Sequence, residues 1–98
     1  MIQLTLRISI LAQNDLKNIG RYTAKQWGIE QRNHYLLRFD ERFKILSENP
    51  KMGHGCDEIR EGYRRFREGE HVIFYRLTEK TLDIIRILHF FKQKITTG

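Results

Sequence analysis

The chain contains a single proline, and its position does more than any other residue to limit what the chain can fold into. Asn49-Pro50 closes a long helical periodicity, because the residue before a proline is driven out of the helical region. After it the pattern returns to the period of two that marks strands. The N-terminal side holds a short alternating stretch, Ile2 to Ile8, and then changes period at Ser9, whose hydroxyl suits it to cap a helix. From Ile10 onward Ala12, Leu16, Ile19, Gly20, Thr23 and Trp27 fall on one helical stripe. Gly28 is placed to end that helix in a left-handed conformation. A second helix is expected from Glu30 to Glu48, with Leu36, Phe39, Phe43 and Leu46 inward and Arg32, Arg38 and Arg42 on its flanks. Trp27, Phe39 and Phe43 read as core residues.

Beyond the proline, residues 51–61 carry Gly53, Gly55 and mixed charge, and read as a loop with a short helical turn near Asp57–Arg60. Three strands then follow on short turns: Tyr63–Arg67, His71–Leu77 and Leu82–Phe90, with Glu68-Gly69-Glu70 and Thr78–Thr81 between them. The expectation is a single α+β domain over residues 1–98. Its order is β-α-α-β-β-β, an antiparallel twisted sheet covered on one face by a helical hairpin. The other sheet face is left open or shallowly cupped, a place for a peptide or a nucleic acid.

Composition narrows the function. Eighteen Lys and Arg stand against 12 Asp and Glu, a formal charge of +6 that suits an acidic partner. The excess is spread over both halves, and its one local concentration is Arg64, Arg65 and Arg67. Arg86 lies inside the most apolar strand and needs a partner, either a carboxylate of this chain or one brought by another molecule. The lone Cys56 permits no internal disulfide, and its neighbours His54, Asp57 and Glu58 lack the spacing of a zinc site, so neither metal nor cofactor is expected. No uncharged apolar run is long enough to span a membrane, and Arg7 interrupts the N-terminal segment, so a cytoplasmic protein is expected.

Several blocks of the sequence resemble one family. Asp15-Leu16, Ile19-Gly20-Arg21-Tyr22-Thr23 and Trp27-Gly28 resemble the first helix of ParE toxins, and Glu48-Asn49-Pro50 with Gly53 resembles their helix exit. Gly62 to Phe66, Gly69 to Arg76 and Ile85 to His89 match in the same order, so the likeness runs through nearly the whole chain. The resemblance implies the RelE/ParE scaffold, in which one branch cleaves mRNA on the ribosome and the ParE branch poisons DNA gyrase. It also implies a cognate ParD-like antitoxin whose C-terminal segment wraps the toxin, with DNA reached only indirectly through antitoxin or gyrase, and a homodimer or hetero-oligomer as the assembled form.

The RelE branch needs a base, an acid and cations around the scissile phosphate. The arginine positions that the resemblance assigns to that chemistry fall on Val72 and on Phe90 or Phe91, and no Tyr or His follows in the tail. His71 and His89 are the remaining proton-transfer candidates. The expectation is a toxin that acts by binding rather than catalysis. Arg64, Arg65, Arg67, Arg76 and Arg86 are the candidate antitoxin contacts, and His89, Phe90, Phe91, Lys92 and Lys94 the candidate gyrase contacts.

Overall fold

A computed structural model describes residues 4–91. Strand β1 (Thr5–Ile8) leads into helix α1 (Ile10–Trp27), helix α2 (Ile29–Glu48) and a 3-10 turn at Pro50–Met52. Strands β2 (His54–Gly55), β3 (Tyr63–Glu68), β4 (His71–Leu77) and β5 (Thr81–His89) complete the chain. The five strands form one sheet in the order β1-β5-β4-β3-β2. The α+β architecture read from the periodicities is present, with two refinements. Strand β1 pairs with β5 in parallel, Thr5 opposite Thr81 and Ile8 opposite Ile84, so the sheet is mixed rather than wholly antiparallel. Strand β2 adds two residues to the far edge, opposite Arg65 and Arg64.

The helices form where the sequence places them because both ends carry the right residues. Ser9 takes an extended conformation and its hydroxyl accepts from the Ala12 amide at 3.0 Å. The same hydroxyl donates to the Ile85 carbonyl at 2.8 Å, so one side chain caps α1 and ties it to β5. Gly28 alone separates the helices. Its φ of +94° is positive, as expected, but its ψ of 170° lies outside the left-handed helical well, in a region open only to glycine. Its amide donates to the Ala24 carbonyl and its own carbonyl accepts from Arg32, so one residue both ends α1 and starts α2.

The core lies between the hairpin and one face of the sheet. Ala12 and Ile19 of α1 meet Phe39, Phe43 and Leu46 of α2 over Ile73, Tyr75, Leu82, Ile84 and Ile87. Trp27 is not part of it. At 72% exposure it is a surface residue, against the expectation of a core one, because the last turn of α1 carries the stripe into a surface groove. Cys56, Tyr63, Val72 and Phe74 are buried outside this cluster, and the latter three belong to the opposite sheet face. That face is therefore partly covered.

The segment 50–55 is anchored by Tyr75, whose hydroxyl donates to the Pro50 carbonyl at 2.7 Å and accepts from the Gly53 amide at 3.1 Å. A Cβ on Gly53 would collide with that hydroxyl and lie 2.5 Å from the Arg65 carbonyl, whereas one on Gly55 would meet nothing closer than 3.6 Å. Gly53→Ala is therefore expected to cost about 2–3 kcal/mol, lowering the thermal midpoint by roughly 10 °C or more, and Gly55→Ala to leave it nearly unchanged. Paired thermal denaturation curves decide the point, and equal midpoints would refute it.

Candidate interaction surfaces

Strand alternation divides the arginine run. Directly opposed residues on neighbouring strands share a face, and the pairs Arg64 with Tyr75, Phe66 with Ile73 and Glu68 with His71 all lie on the helix side. Arg64 accordingly turns to the protein, donating to the carbonyls of Lys51 at 3.1 Å and Gly53 at 2.5 Å. The pairs Arg65 with Phe74, Arg67 with Val72 and Tyr63 with Arg76 lie on the helix-free side. Arg65, Arg67 and Arg76 are all exposed there. Arg67 bonds the Gly69 carbonyl through Nε and lays its guanidinium 3.8 Å from the centre of the Phe90 ring. Arg65 and Arg76 make neither an ion pair nor a side-chain hydrogen bond among the described residues.

Arg86 is held within the chain. A bulge sets Arg86 opposite Phe74 and Ile84 opposite Tyr75, leaving Ile85 between them unpaired. Asp15 of α1 accepts Arg86 Nε at 2.8 Å and Nη2 at 3.0 Å, and also the Ile87 amide at 2.9 Å. The carboxylate keeps the Arg86 guanidinium charged more firmly than usual. Of the two partners open from sequence, the intramolecular carboxylate is the one found.

A second surface lies where the helices meet the turn Gly69–Glu70. Tyr22, Thr23, Trp27, Gln31, Tyr35 and Arg38 form one wall of a groove, with Glu70 and His71 opposite. Gly69, at φ +60°, takes the first place of a two-residue hairpin loop, where a type II′ turn requires a positive φ. A Cβ there would lie 2.8 Å from the Tyr35 ring, so the glycine also admits the tyrosine. The Tyr35 hydroxyl accepts from the Glu70 amide at 3.1 Å and sits 2.6 Å from His71 Nδ1. Beneath it, the buried Glu68 carboxylate accepts from Arg38 at 2.9 Å and Arg42 at 2.7 Å.

His71 and His89 are cross-strand partners, their rings 5.4 Å apart and edge to face. Burial, reinforced by His89, pushes the His71 pKa down to about 4, so the ring is neutral near pH 7. His89 is more open, accepts from the Phe91 amide at 3.2 Å and faces Glu70 at 3.9 Å. Phe91 projects outward, 79% exposed. Lys92 and Lys94 lie outside the described residues. His54 was singled out from sequence only as a possible metal ligand. Among the described residues no group of three metal-ligating side chains exists, and His54 instead borders a shallow depression with Arg65, Arg67, Val72 and Phe90. No local periodicity announces this, because β2 is two residues long and its register depends on β3.

With this geometry in view, three comparisons place the chain. The family model for the ParE toxin of type II toxin-antitoxin systems, parDE, matches residues 6–90. Toxin ParE1 of Mycobacterium tuberculosis is 41% identical over 83 residues, which cover 84% of this chain and 85% of that protein. A solved structure of the chromosomal ParDE system from P. aeruginosa superposes with a TM-score of 0.75 at 21% identity, covering 89% of this chain and 96% of that one. The toxin–antitoxin complex RelBE2 from Mycobacterium tuberculosis gives 0.62 at 26% identity, over 90% and 99%. The fold is thus that of type II toxins of the RelE/ParE kind. Within that class, the chain belongs to the ParE toxin family.

The neutral, buried state of His71 has a thermodynamic consequence. The unfolded imidazole takes up a proton near pH 6.5 and the folded one only near pH 4, so the unfolded chain binds more protons between these values. Stability is expected to fall as pH drops through that window, by up to about 3 kcal/mol from this group. His71→Phe leaves Tyr35 its bonds to Glu68 and Glu70 and removes the titration. Denaturant melts of both proteins at pH 7, 5.5 and 4 give a difference curve, and a flat one would show that His71 does not titrate this way.

Proposed function

We propose that this protein is the toxin of a ParDE-type pair, acting in the cytosol by binding DNA gyrase without catalysing a reaction, and held inactive by a ParD-like antitoxin. The observation that carries the non-catalytic reading is Val72. It stands in the middle of the helix-free face, between Arg67 and Leu88, and is only 3% exposed. A buried hydrophobe at a position where the RelE resemblance calls for a cation cannot stabilise a phosphorane. The second such place falls on Phe90, which lies under the Arg67 guanidinium, or on Phe91, and either is a hydrophobe. His71, one of the two proton-transfer candidates, is 9% exposed, and its Nδ1 lies 2.6 Å from the Tyr35 hydroxyl.

Two kinds of contact support an antitoxin partner. Arg65, Arg67 and Arg76 offer exposed guanidiniums to the carboxylates of a wrapping segment. The groove beside Tyr22 and Trp27 offers apolar surface rimmed by Arg38 and Glu70. Large exposed aromatics of this kind are frequent anchors of interfaces. Trp27→Ala is expected to weaken binding of the antitoxin about ten-fold or more, since such anchors contribute on the order of 2 kcal/mol, while the exposed position leaves the thermal midpoint nearly unchanged. Calorimetric titration with the antitoxin encoded beside the gene measures this, and unaltered affinity would remove Trp27 from the interface.

The gyrase reading is tested with purified protein in a supercoiling assay beside an in vitro translation reaction. Inhibited supercoiling or accumulated cleaved DNA, with translation intact, is the expected result. Cut mRNA with normal gyrase would overturn it in favour of a ribosome-dependent nuclease.

A further inference from the structure

The outer surface of the helical hairpin carries two ridges of opposite charge. On α1, Lys17, Arg21 and Lys25 recur every four residues, so they share one ridge turned away from the core stripe, and all three are exposed. The one acid of that helix, Asp15, is taken by Arg86. On α2 the exposed side carries Glu30, Asp40, Glu41 and Glu48 against Lys44, with Leu37 among them. Lys17, Lys25, Glu30 and Asp40 make no ion pair or side-chain hydrogen bond among the described residues. We infer that this face binds a second copy of the chain, hairpin on hairpin, as a two-fold pair.

The register of the hairpin makes the face self-complementary. Gly20 packs against Leu36 and Arg32, a Cβ there lying 3.3 Å from Leu36 Cδ1, so the two helices run side by side at close approach. Counted from the Gly28 turn, Lys25 and Glu30 stand at nearly the same height, and so do Lys17 and Asp40. A two-fold axis laid between two hairpins, parallel to their helices, preserves height and exchanges sides. It sets α1 of each copy over α2 of the other, with Lys25 over Glu30 and Lys17 over Asp40, each contact made twice. Leu37 then meets the aliphatic stem of Arg21. A nucleic acid fits this face poorly, because a phosphate chain drawn to α1 meets the carboxylates of α2 beside it. The two ridges nearly cancel, so copies of a chain with a formal charge of +6 can approach here. At 1.5 Å per residue the face is about 27 Å long and about 20 Å wide, roughly 500 Å² per copy. That is the low end for a specific interface, so a pair dissociating on the order of tens of micromolar is expected. The sheets lie on the outside of the pair, whatever target the toxin has.

The test is sedimentation equilibrium of the full-length chain from about 5 to about 500 µM, where the average mass is expected to climb from monomer toward dimer. The variants K17E/K25E and E30K/D40K, altered only at exposed positions, each place like charges over one another twice. Each alone is expected to lose about ten-fold or more in self-affinity. Mixed in equal amounts they restore both contacts, and association within about three-fold of the wild type is expected, which a misfolded variant could not give. A wild-type chain that stays monomeric throughout, variants that self-associate as it does, or a mixture that does not associate would overturn the inference. So would a ten-fold loss of antitoxin affinity in K17E/K25E, which would give the face to the antitoxin instead.

Discussion

Asp15 holds the hairpin to the sheet at the place where the sheet would otherwise be incomplete. Strand β1 covers β5 only as far as Ile84, so the amides beyond it have no strand neighbour on that side. Ser9 takes the Ile85 carbonyl and Asp15 takes the Ile87 amide, and together they continue the edge with side chains of α1. The same carboxylate neutralises Arg86, a charge that a bulge has brought to this edge. Along this stretch the Ile85 carbonyl and the Ile87 amide are therefore taken by side chains at the start of and within α1 rather than offered to another chain. Losing Asp15 would leave a partly buried guanidinium and a strand amide without acceptors, which costs far more than the pair itself contributes.

That closure determines which charges remain for partners. Glu68 accepts Arg38 and Arg42, Asp15 accepts Arg86, and backbone carbonyls of residues 51 and 53 accept Arg64. Each of these arginines binds the molecule together across elements that are distant in sequence. On the side of the sheet away from Arg64, the residues Arg65, Arg67 and Arg76 remain exposed. A composition of +6 does not by itself distinguish a basic fold from a basic surface. Here the period of two does, since adjacent residues of one arginine run serve opposite purposes.

Much of the fold is legible in the sequence because local rules and tertiary packing agree. Ser9, Phe39, Phe43 and Leu46 occupy the roles that spacing gives them, and the Asn49-Pro50 stop falls one residue past the end of α2. What could not be read depends on pairing between distant segments. The parallel register of β1, the partner of Arg86 and the placement of His54 beside Arg65 each follow from contacts between segments far apart in the chain. Trp27 shows a different limit. Its helical phase is that of a buried residue, but phase does not say where the sheet beneath the helix ends, and at the last turn of α1 a groove has replaced the core. A linear run of arginines likewise hides the alternation that turns Arg64 toward the protein and leaves Arg65 and Arg67 exposed on the other face.

His71 shows how burial turns a titratable side chain into one that packs and braces. An acid or base must present its proton to a substrate and have a pKa near the working pH. His71 does neither: the ring is enclosed by Tyr35, Phe39 and His89, and enclosure drives it neutral well below pH 7. A neutral ring can stay buried without a counter-ion, so it packs the end of β4 and fixes the Tyr35 hydroxyl that braces the Gly69–Glu70 turn. The turn in turn sets the direction of β3 and β4, and with it the spacing of the exposed arginines. The buried imidazole and the Tyr35 hydroxyl together brace the turn between β3 and β4.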